Sequence, residues 1–552
     1  MPNTDTSIQP LEKLYQWERE KGNEIAMHQP IPDGQLSYTW RQFGEQVRKM
    51  AAALKAMNLP DRSNIALISK NCAHWFMADL AIMMAGHVSV PLYPNTNAET
   101  LRYVLEHSES KLLFVGKLDS WQQLKSGLLE SVRCISFPTY YGDTGFENWD
   151  DIVAQHAPIE GNPVRDLNDS MTIIYTSGTT GKPKGVVHSF RAICYATNMA
   201  FTVIDLQNQA QRFFSYLPLS HIAERMLVEM GCIYCGGQVY FAESLDTFAD
   251  NLRQAAPTVF LGVPRIWTKF QLGILAKMPQ KRLSLLLSIP IIGSFLRHSI
   301  QKKLGLHKAI YCLSGAAPIP AALVEWFGKL GLGIQEAYGM TENCAYSHFT
   351  RKGKIQLGSV GQAMPEVEVV LSEVGEILMK SQALMSGYYK NAELTAESFK
   401  NGYLRTGDKG TISAEGYLVI TGRVKELFKT EKGKYVAPAP IEMALSENPL
   451  IEQVCVTGNN LPQPIGLVVA AAEASRKSKN DLQEELGQWL AKVNSRLEAH
   501  ERVKRLVILS EPWTVENNFL TPTLKIKRDP IEQKYSSQYS TWYNNKDVII
   551  WA

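Results

Sequence analysis

An α/β architecture is predicted by three features of the sequence. Helix-like and strand-like segments alternate between residues 39 and 115. The texture then turns to short strands and Gly-containing turns between 356 and 420, and a compact unit of mixed periodicity follows Gly422. In residues 39–54 (TWRQFGEQVRKMAAAL), Phe43, Val47, Met50 and Leu54 fall at helical spacing. NIALIS at 64–69 reads as a buried strand, 73–86 as a second helix and 88–92 as a second strand; 101–107 and 111–115 repeat the alternation. Segments 367–371, 376–379 and 417–420 read as strands of a small, distorted barrel. Beyond Gly422, a basic stretch is followed by strands at 451–456 and 466–471 and a helix over 481–497, an α+β unit. The Ser/Tyr/Asn-rich tail from 536, ending in VIIWA, has no sequence account.

At 552 residues the chain is long enough for about three or four folding units. Lys and Arg number 57 against 54 Asp and Glu, a net charge of +3 that gives no expectation of nucleic-acid binding by counterion release. Hydrophobic content of 45% with 20% charged residues excludes disorder, collagen and coiled coil as descriptions of the whole. Eight scattered cysteines suit a reducing compartment better than a disulfide framework. The N-terminus, MPNTDTSIQP, lacks signal-peptide character, so a cytoplasmic location is expected. No apolar run reaches the length of a membrane span. The longest, 283–296, is interrupted by Pro290 and Gly293 and flanked by Lys281, Arg282, Arg297, His298, Lys302 and Lys303. It reads as a core helix broken at Pro290, with peripheral contact to a membrane surface as the competing reading.

The strongest chemical signal is MTIIYTSGTTGKPKGVVHS at 171–189. An apolar strand runs into Thr176, Ser177, Gly178, Thr179, Thr180, Gly181, Lys182, Pro183 and Lys184. Glycines and small hydroxyl residues let backbone N–H groups approach an anion, and lysines add positive charge, so the loop suits a polyphosphate. It is not a Walker A loop, because Pro183 stands where the second Gly belongs. Cys232 and Cys235 form a C-x-x-C without a second pair at zinc spacing and read as core packing. Gly331 and Gly333 imitate a dinucleotide fingerprint, but Glu336 replaces its third glycine.

YTSGTTGKPKG closely resembles the phosphate-binding signature of the AMP-forming adenylating enzymes. Further matches follow in that family's order: YLPLSHIAER (216–225), PTVFLGVPRIW (257–267), LSGAAP (313–318), QEAYGMTE (335–342), GYLRTGD (402–408), GRVKELFKTEKGKYVAPAPIE (422–442) and LTPTLKIKR (520–528). Within the family, SHIAER, GVPRIW and Thr523-Leu524-Lys525 look most like long-chain fatty acyl-CoA synthetases. The resemblance implies a large N-terminal domain (1–422) of two α/β subdomains plus a small barrel, binding ATP and the acyl substrate. A mobile C-terminal domain (423–552) would carry the catalytic lysine. It implies activation of a fatty acid by ATP with Mg2+, then transfer to CoA. A fatty-acyl-AMP ligase serving a carrier protein and a non-catalytic acyl or nucleotide binder are the rival readings.

Carried over residue by residue, the resemblance makes Lys525, His221, Thr341 and Glu342 the catalytic candidates and Glu342 the metal ligand. Nucleotide binding falls to Thr176, Ser177, Gly178, Thr179, Thr180, Lys184, Gly315, Ala316, Ala317, Ala337, Tyr338, Gly339, Asp408, Arg423 and Gly433, and the hinge to Lys425. The residue types agree. A carboxylate at Glu342 suits hard Mg2+, and the two acceptor oxygens of Asp408 suit a ribose diol.

Overall fold

The computed structural model describes residues 5–32, 34–119, 121–176, 182–206, 210–515, 517–521 and 525–552, apart from the side chains of Glu473 and Arg476. Thr39 caps the helix Trp40–Ala56 reciprocally with Gln42, and Trp40, Phe43, Val47, Met50 and Leu54 form its buried stripe, as their spacing predicts. The helix Ala73–Ala85 is buried on all sides, being apolar all round apart from His74 and Asp79, the latter paired with Arg225, and it ends at Gly86 with φ 97°. These helices lie in the core between two large sheets.

The first sheet has eight strands, in the order Gly387–Tyr388, Lys184–Ser189, Ser170–Thr176, Val88–Leu92, Asn64–Ile68, Leu112–Val115, Arg133–Ser136 and Glu147–Asn148. Its central strands pair in parallel and are buried on both faces. The second sheet has nine strands, with Ile334–Tyr338, Tyr311–Ser314, Val259–Leu261, Arg212–Ser215 and Gln238–Phe241 as its parallel centre. The strand-rich region is a half-barrel of five antiparallel strands, including the long strand Tyr403–Ile412 and its hairpin partner Leu418–Arg423.

The C-terminal region carries a four-stranded sheet, Ile451–Thr457, Ile465–Ala470, Leu506–Leu509 and Ile549–Trp551, with the helices Pro438–Ser446 and Lys479–Asn494 in its core. The tail that the sequence left unexplained supplies the last strand. It pairs in parallel with Leu506–Leu509, while Arg505 donates to the carbonyls of Tyr543 and Asp547.

One expectation is corrected. The break at Pro290 is as expected, but residues 283–296 do not form a core helix. Pro290, which lacks an N–H and blocks continuation of a helix, starts a new one, so Gln280–Ser288 and Pro290–Leu304 fold as a hairpin. Leu283 and Ile300 are buried, but Leu285, Ile291 and Phe295 are 65%, 85% and 77% exposed. Among the described residues, no helix is long and apolar enough to cross a membrane.

Candidate active site

A cleft of about 3190 Å3 opens where the carboxyl ends of the parallel strands meet the half-barrel and the C-terminal region. Open α/β sheets place ligands there, because the chain leaves each strand into a loop with unpaired backbone groups. The strand Tyr311–Ser314 delivers Gly315, Ala316 and Ala317 to the cleft, and Ile334–Tyr338 delivers Ala337, Tyr338, Gly339, Thr341 and Glu342. Ala316 holds φ at 65°, a left-handed conformation unusual for a residue with a Cβ. Thr176 and Lys184 face each other in the antiparallel pair that brackets residues 177–181, and both line the cleft. Ser177, Gly178, Thr179 and Thr180 lie outside the described residues.

Two carboxylates are already engaged by neighbours of opposite character. Glu342 sits in the 3-10 turn Thr341–Asn343. Its Oε1 accepts from the Tyr388 hydroxyl at 2.7 Å and lies 3.4 Å from Lys184 Nζ, which donates to the same hydroxyl at 2.7 Å. The buried His188 ring, 2.7 Å from the Thr341 carbonyl, ties that turn to the neighbouring strand; burial pushes its pKa down to about 4, so it is neutral. On the half-barrel, Asp408 Oδ2 accepts from Tyr338 at 2.7 Å and Oδ1 from Arg423 Nε at 2.9 Å. Asp408 and Arg423 are register partners in one hairpin, which fixes this contact by backbone pairing.

His221 caps the short turn Ile222–Glu224. Burial, and then the charge of Lys525, push its pKa down to about 4. The ring is therefore neutral near pH 7. Its Nδ1 accepts from the Ala223 N–H at 3.2 Å, which leaves the proton on Nε2. The turn is anchored from below. Glu224 accepts from Ser215 Oγ at 3.0 Å and the Tyr216 N–H at 3.1 Å, and burial raises its pKa to about 8. Arg225, 1% exposed, pairs with Asp79 at 2.5 Å and donates to Thr172 at 2.6 Å, with Glu229 3.4 Å away.

Lys525 enters the same cleft from the C-terminal region. Thr521 and Lys525 close the base of its loop: the Thr521 N–H donates to the Lys525 carbonyl at 2.8 Å, and the Lys525 N–H to Thr521 Oγ1 at 3.0 Å. Enclosure by the protein and repulsion from Arg423 push its pKa down, against the pull of Asp408, Glu342 and Glu426. Its basic neighbours are committed elsewhere. Lys527 donates to Asn518, and Arg528 grips Glu442 through contacts of 2.7 and 2.6 Å. The cleft therefore brings together cations, carboxylates and a neutral imidazole, with an apolar wall that includes Ala200, Phe201, Ile204, Met226 and Leu227.

Lys425 occupies the 3-10 turn Val424–Glu426 directly after the half-barrel strand ending at Arg423, at the edge of the cleft. Gly433 is not brought in. It lies at the turn between Phe428–Lys429 and Tyr435–Val436, with φ 74°, away from the cleft residues. Sequence reasoning missed Tyr388 and Glu336. Tyr388 reaches Lys184 across 204 residues of sequence, through pairing of Gly387–Tyr388 with Lys184–Ser189. Glu336 lines the cleft with its pKa raised by burial to about 8; its one signal was its place beside Tyr338 in QEAYGMTE.

Comparison with known proteins agrees with this geometry. The family model of AMP-binding enzymes matches residues 14–389, and that of the AMP-binding enzyme C-terminal domain matches 426–547. The long-chain-fatty-acid–CoA ligase FadD15 of Mycobacterium tuberculosis is 27% identical, over 97% of this chain and 96% of its own. Long chain acyl-CoA synthetase 2 of Arabidopsis thaliana is 28% identical, over 92% and 88%. Among solved structures, the adenylation domain of a carboxylate reductase from Mycobacterium chelonae superposes with a TM-score of 0.81 at 21% identity, covering 99% of this chain and 92% of that one. The anthranilate CoA ligase AuaEII, solved with anthranoyl-AMP, gives 0.79 at 20% identity, over 97% and 98%. With the first model spanning more than half of its length and the second most of the remainder, the chain belongs to the AMP-binding enzyme family.

Proposed function

We propose that this enzyme activates a long-chain fatty acid with ATP, giving acyl-AMP and pyrophosphate, and then transfers the acyl group to CoA with release of AMP. The observation that carries this reading is the convergence of Lys525, His221, Glu342 and Asp408 on one cleft with an apolar wall. The curated relatives named above, long-chain acyl-CoA synthetases matched over nearly their whole length, support the substrate class.

The chemistry explains the residues. A carboxylate is a poor acyl donor, because its leaving group would be oxide. Attack of a carboxylate oxygen on the α-phosphorus, with cleavage of the bond to pyrophosphate, creates a mixed anhydride. The CoA thiolate then attacks its acyl carbonyl, and AMP leaves. In this reading residues 176–184, with Lys184 as the cation, hold the phosphates. Gly315, Ala316, Ala317, Ala337, Tyr338 and Gly339 enclose the adenosine. Asp408, held by Arg423, accepts from the ribose hydroxyls. The Nε2–H of neutral His221 points the fatty carboxylate toward phosphorus, and Lys525 carries positive charge to the reacting oxygens. Glu342, already drawn toward the Lys184 ammonium, is the carboxylate that would hold Mg2+, a hard cation suited to oxygen ligands. When bound, that ion would neutralise charge on the pyrophosphate.

We assign residues 1–422 to the body and 423–552 to a mobile unit pivoting at Lys425, with Gly433 reaching the site in the thioester-forming arrangement. Lys425→Pro fixes φ near −65° and obstructs the pivot. Adenylation is expected to survive within a few-fold while thioester formation from supplied acyl-AMP falls at least tenfold; equal loss of both would contradict the pivot. Tyr388→Phe removes the hydroxyl between Lys184 and Glu342. Hydrogen bonds to charged groups contribute about 1.5–3 kcal/mol, so adenylation is expected to slow roughly tenfold or more with Tm nearly unchanged. A wild-type rate would remove Tyr388 from the site.

The reading is tested by exchange of labelled pyrophosphate into ATP across saturated acids from short to very long. Exchange rising with chain length supports a fatty substrate. Strong exchange with short or aromatic acids and none with long ones would overturn it.

A further inference from the structure

The hairpin at residues 280–304 presents an apolar tip to solvent. Leu285 and Ile289 from its first helix and turn, and Ile291, Ile292 and Phe295 from its second, are all exposed. Core packing does not explain them; that role falls to Leu283 and Ile300 on the opposite side. The turn is tight: a Cβ at Gly293 would lie 2.5 Å from the Leu287 carbonyl oxygen, so glycine there lets the two helices close on each other and keep the tip compact.

The hairpin itself is charged with one sign: residues 280–304 contain five Lys and Arg and no Asp or Glu, in a chain whose net charge is +3. Lys281 and Arg282 on the first helix, and Lys302 and Lys303 on the second, are exposed. Ile291, Phe295, His298 and Lys302 follow one another at steps of four, three and four residues, so they share one helical stripe that changes from apolar at the tip to basic behind it. Seven residues separate Phe295 from Lys302, about 10 Å of helix. Amphipathic elements bury their apolar faces about 5–10 Å into a membrane interface, which would hold these lysines at the level of lipid phosphates.

We infer that the 280–304 hairpin docks the enzyme on an anionic membrane surface, with Ile291 and Phe295 entering the acyl boundary and the four basic residues meeting lipid headgroups. The preceding helix Pro264–Lys277 begins in the cleft wall, at Arg265, Thr268 and Lys269, so the docked hairpin is continuous in sequence with the active cleft. Docking does not depend on the acyl-CoA reading, because it is measured without substrate.

The test is sedimentation of the full chain with vesicles of phosphatidylcholine, alone or with about a quarter phosphatidylglycerol. The wild type is expected to bind the anionic vesicles and to be released by salt. Ile291→Glu with Phe295→Glu is expected to weaken binding at least about tenfold, and Ile291→Ser with Phe295→Ser to weaken it less. Replacing Lys281, Arg282, Lys302 and Lys303 by serine is expected to cost roughly fivefold per charge and to abolish the preference for anionic lipid. Pyrophosphate exchange should be unchanged in all three variants, since none of these residues lines the cleft. Failure of the wild type to bind, or equal binding by the tip variants, would overturn the proposal. So would a dimer that the tip substitutions split, which would show a second copy of the chain as the occupant.

Discussion

Lys525→Ala is expected to lower fatty-acid-dependent pyrophosphate exchange by about 10²–10³, roughly 3–4 kcal/mol of transition-state stabilisation. Negative charge shifts from the attacking carboxylate toward phosphate during adenylation, and the ammonium that Lys525 brings into the cleft would stabilise that shift. Lys527→Ala is the matched control. Lys527 donates to Asn518 within its own unit, so its loss should leave exchange within a few-fold. On the proposed pivot at Lys425, the C-terminal unit carries Lys525 away before thiol attack, so Lys525→Ala should still convert supplied acyl-AMP and CoA to acyl-CoA at near wild-type rate. If Lys525→Ala exchanges normally, or Lys527→Ala is the more damaged protein, the catalytic lysine has been placed at the wrong position.

Arg225→Ala is expected to destabilise the N-terminal body by about 3–5 kcal/mol, measured by denaturant unfolding. Arg225 is 1% exposed, and its guanidinium supplies the positive charge beside Asp79 and Glu229, both fully buried. Removing it leaves Asp79 buried without its cation, whereas replacing Arg225 and Asp79 together by methionine and leucine should cost less than the single change. A single variant within 1 kcal/mol of wild type would show that water enters the site and that the pair is not structural. The effect reaches the cleft, since Arg225 immediately follows the turn that His221 caps.

The parts of the fold legible in the sequence are those with a local cause. The stripe of Phe43, Val47, Met50 and Leu54 and the cap at Thr39 fix one helix without reference to anything distant. The segments around Lys184, Glu342, Asp408 and Lys525 were legible because each resembles a short motif of the family, contiguous in the sequence. What depended on pairing across the chain was not. Tyr388 acquires its place from a two-residue strand laid against Lys184–Ser189, and the tail Ile549–Trp551 from a parallel partner in another segment. The burial of the apolar run around Pro290, though not its break there, was misread for a related reason. Its composition gives hydrophobicity but not which face finds a partner, and only the tight turn enforced by Pro290 and Gly293 decides that its tip stays uncovered. The anchoring of the His221 turn by Glu224 and Arg225 was likewise hidden, because Asp79 and Thr172 reach it from remote elements.

A single-turnover experiment with purified enzyme, ATP and a long-chain fatty acid tests the central claim most directly. Without CoA, the account predicts enzyme-bound acyl-AMP and one equivalent of pyrophosphate. On addition of CoA, AMP and acyl-CoA should appear together in equal amounts. Formation of ADP, or an acyl-AMP that persists in CoA and is discharged only by a carrier protein, would contradict it.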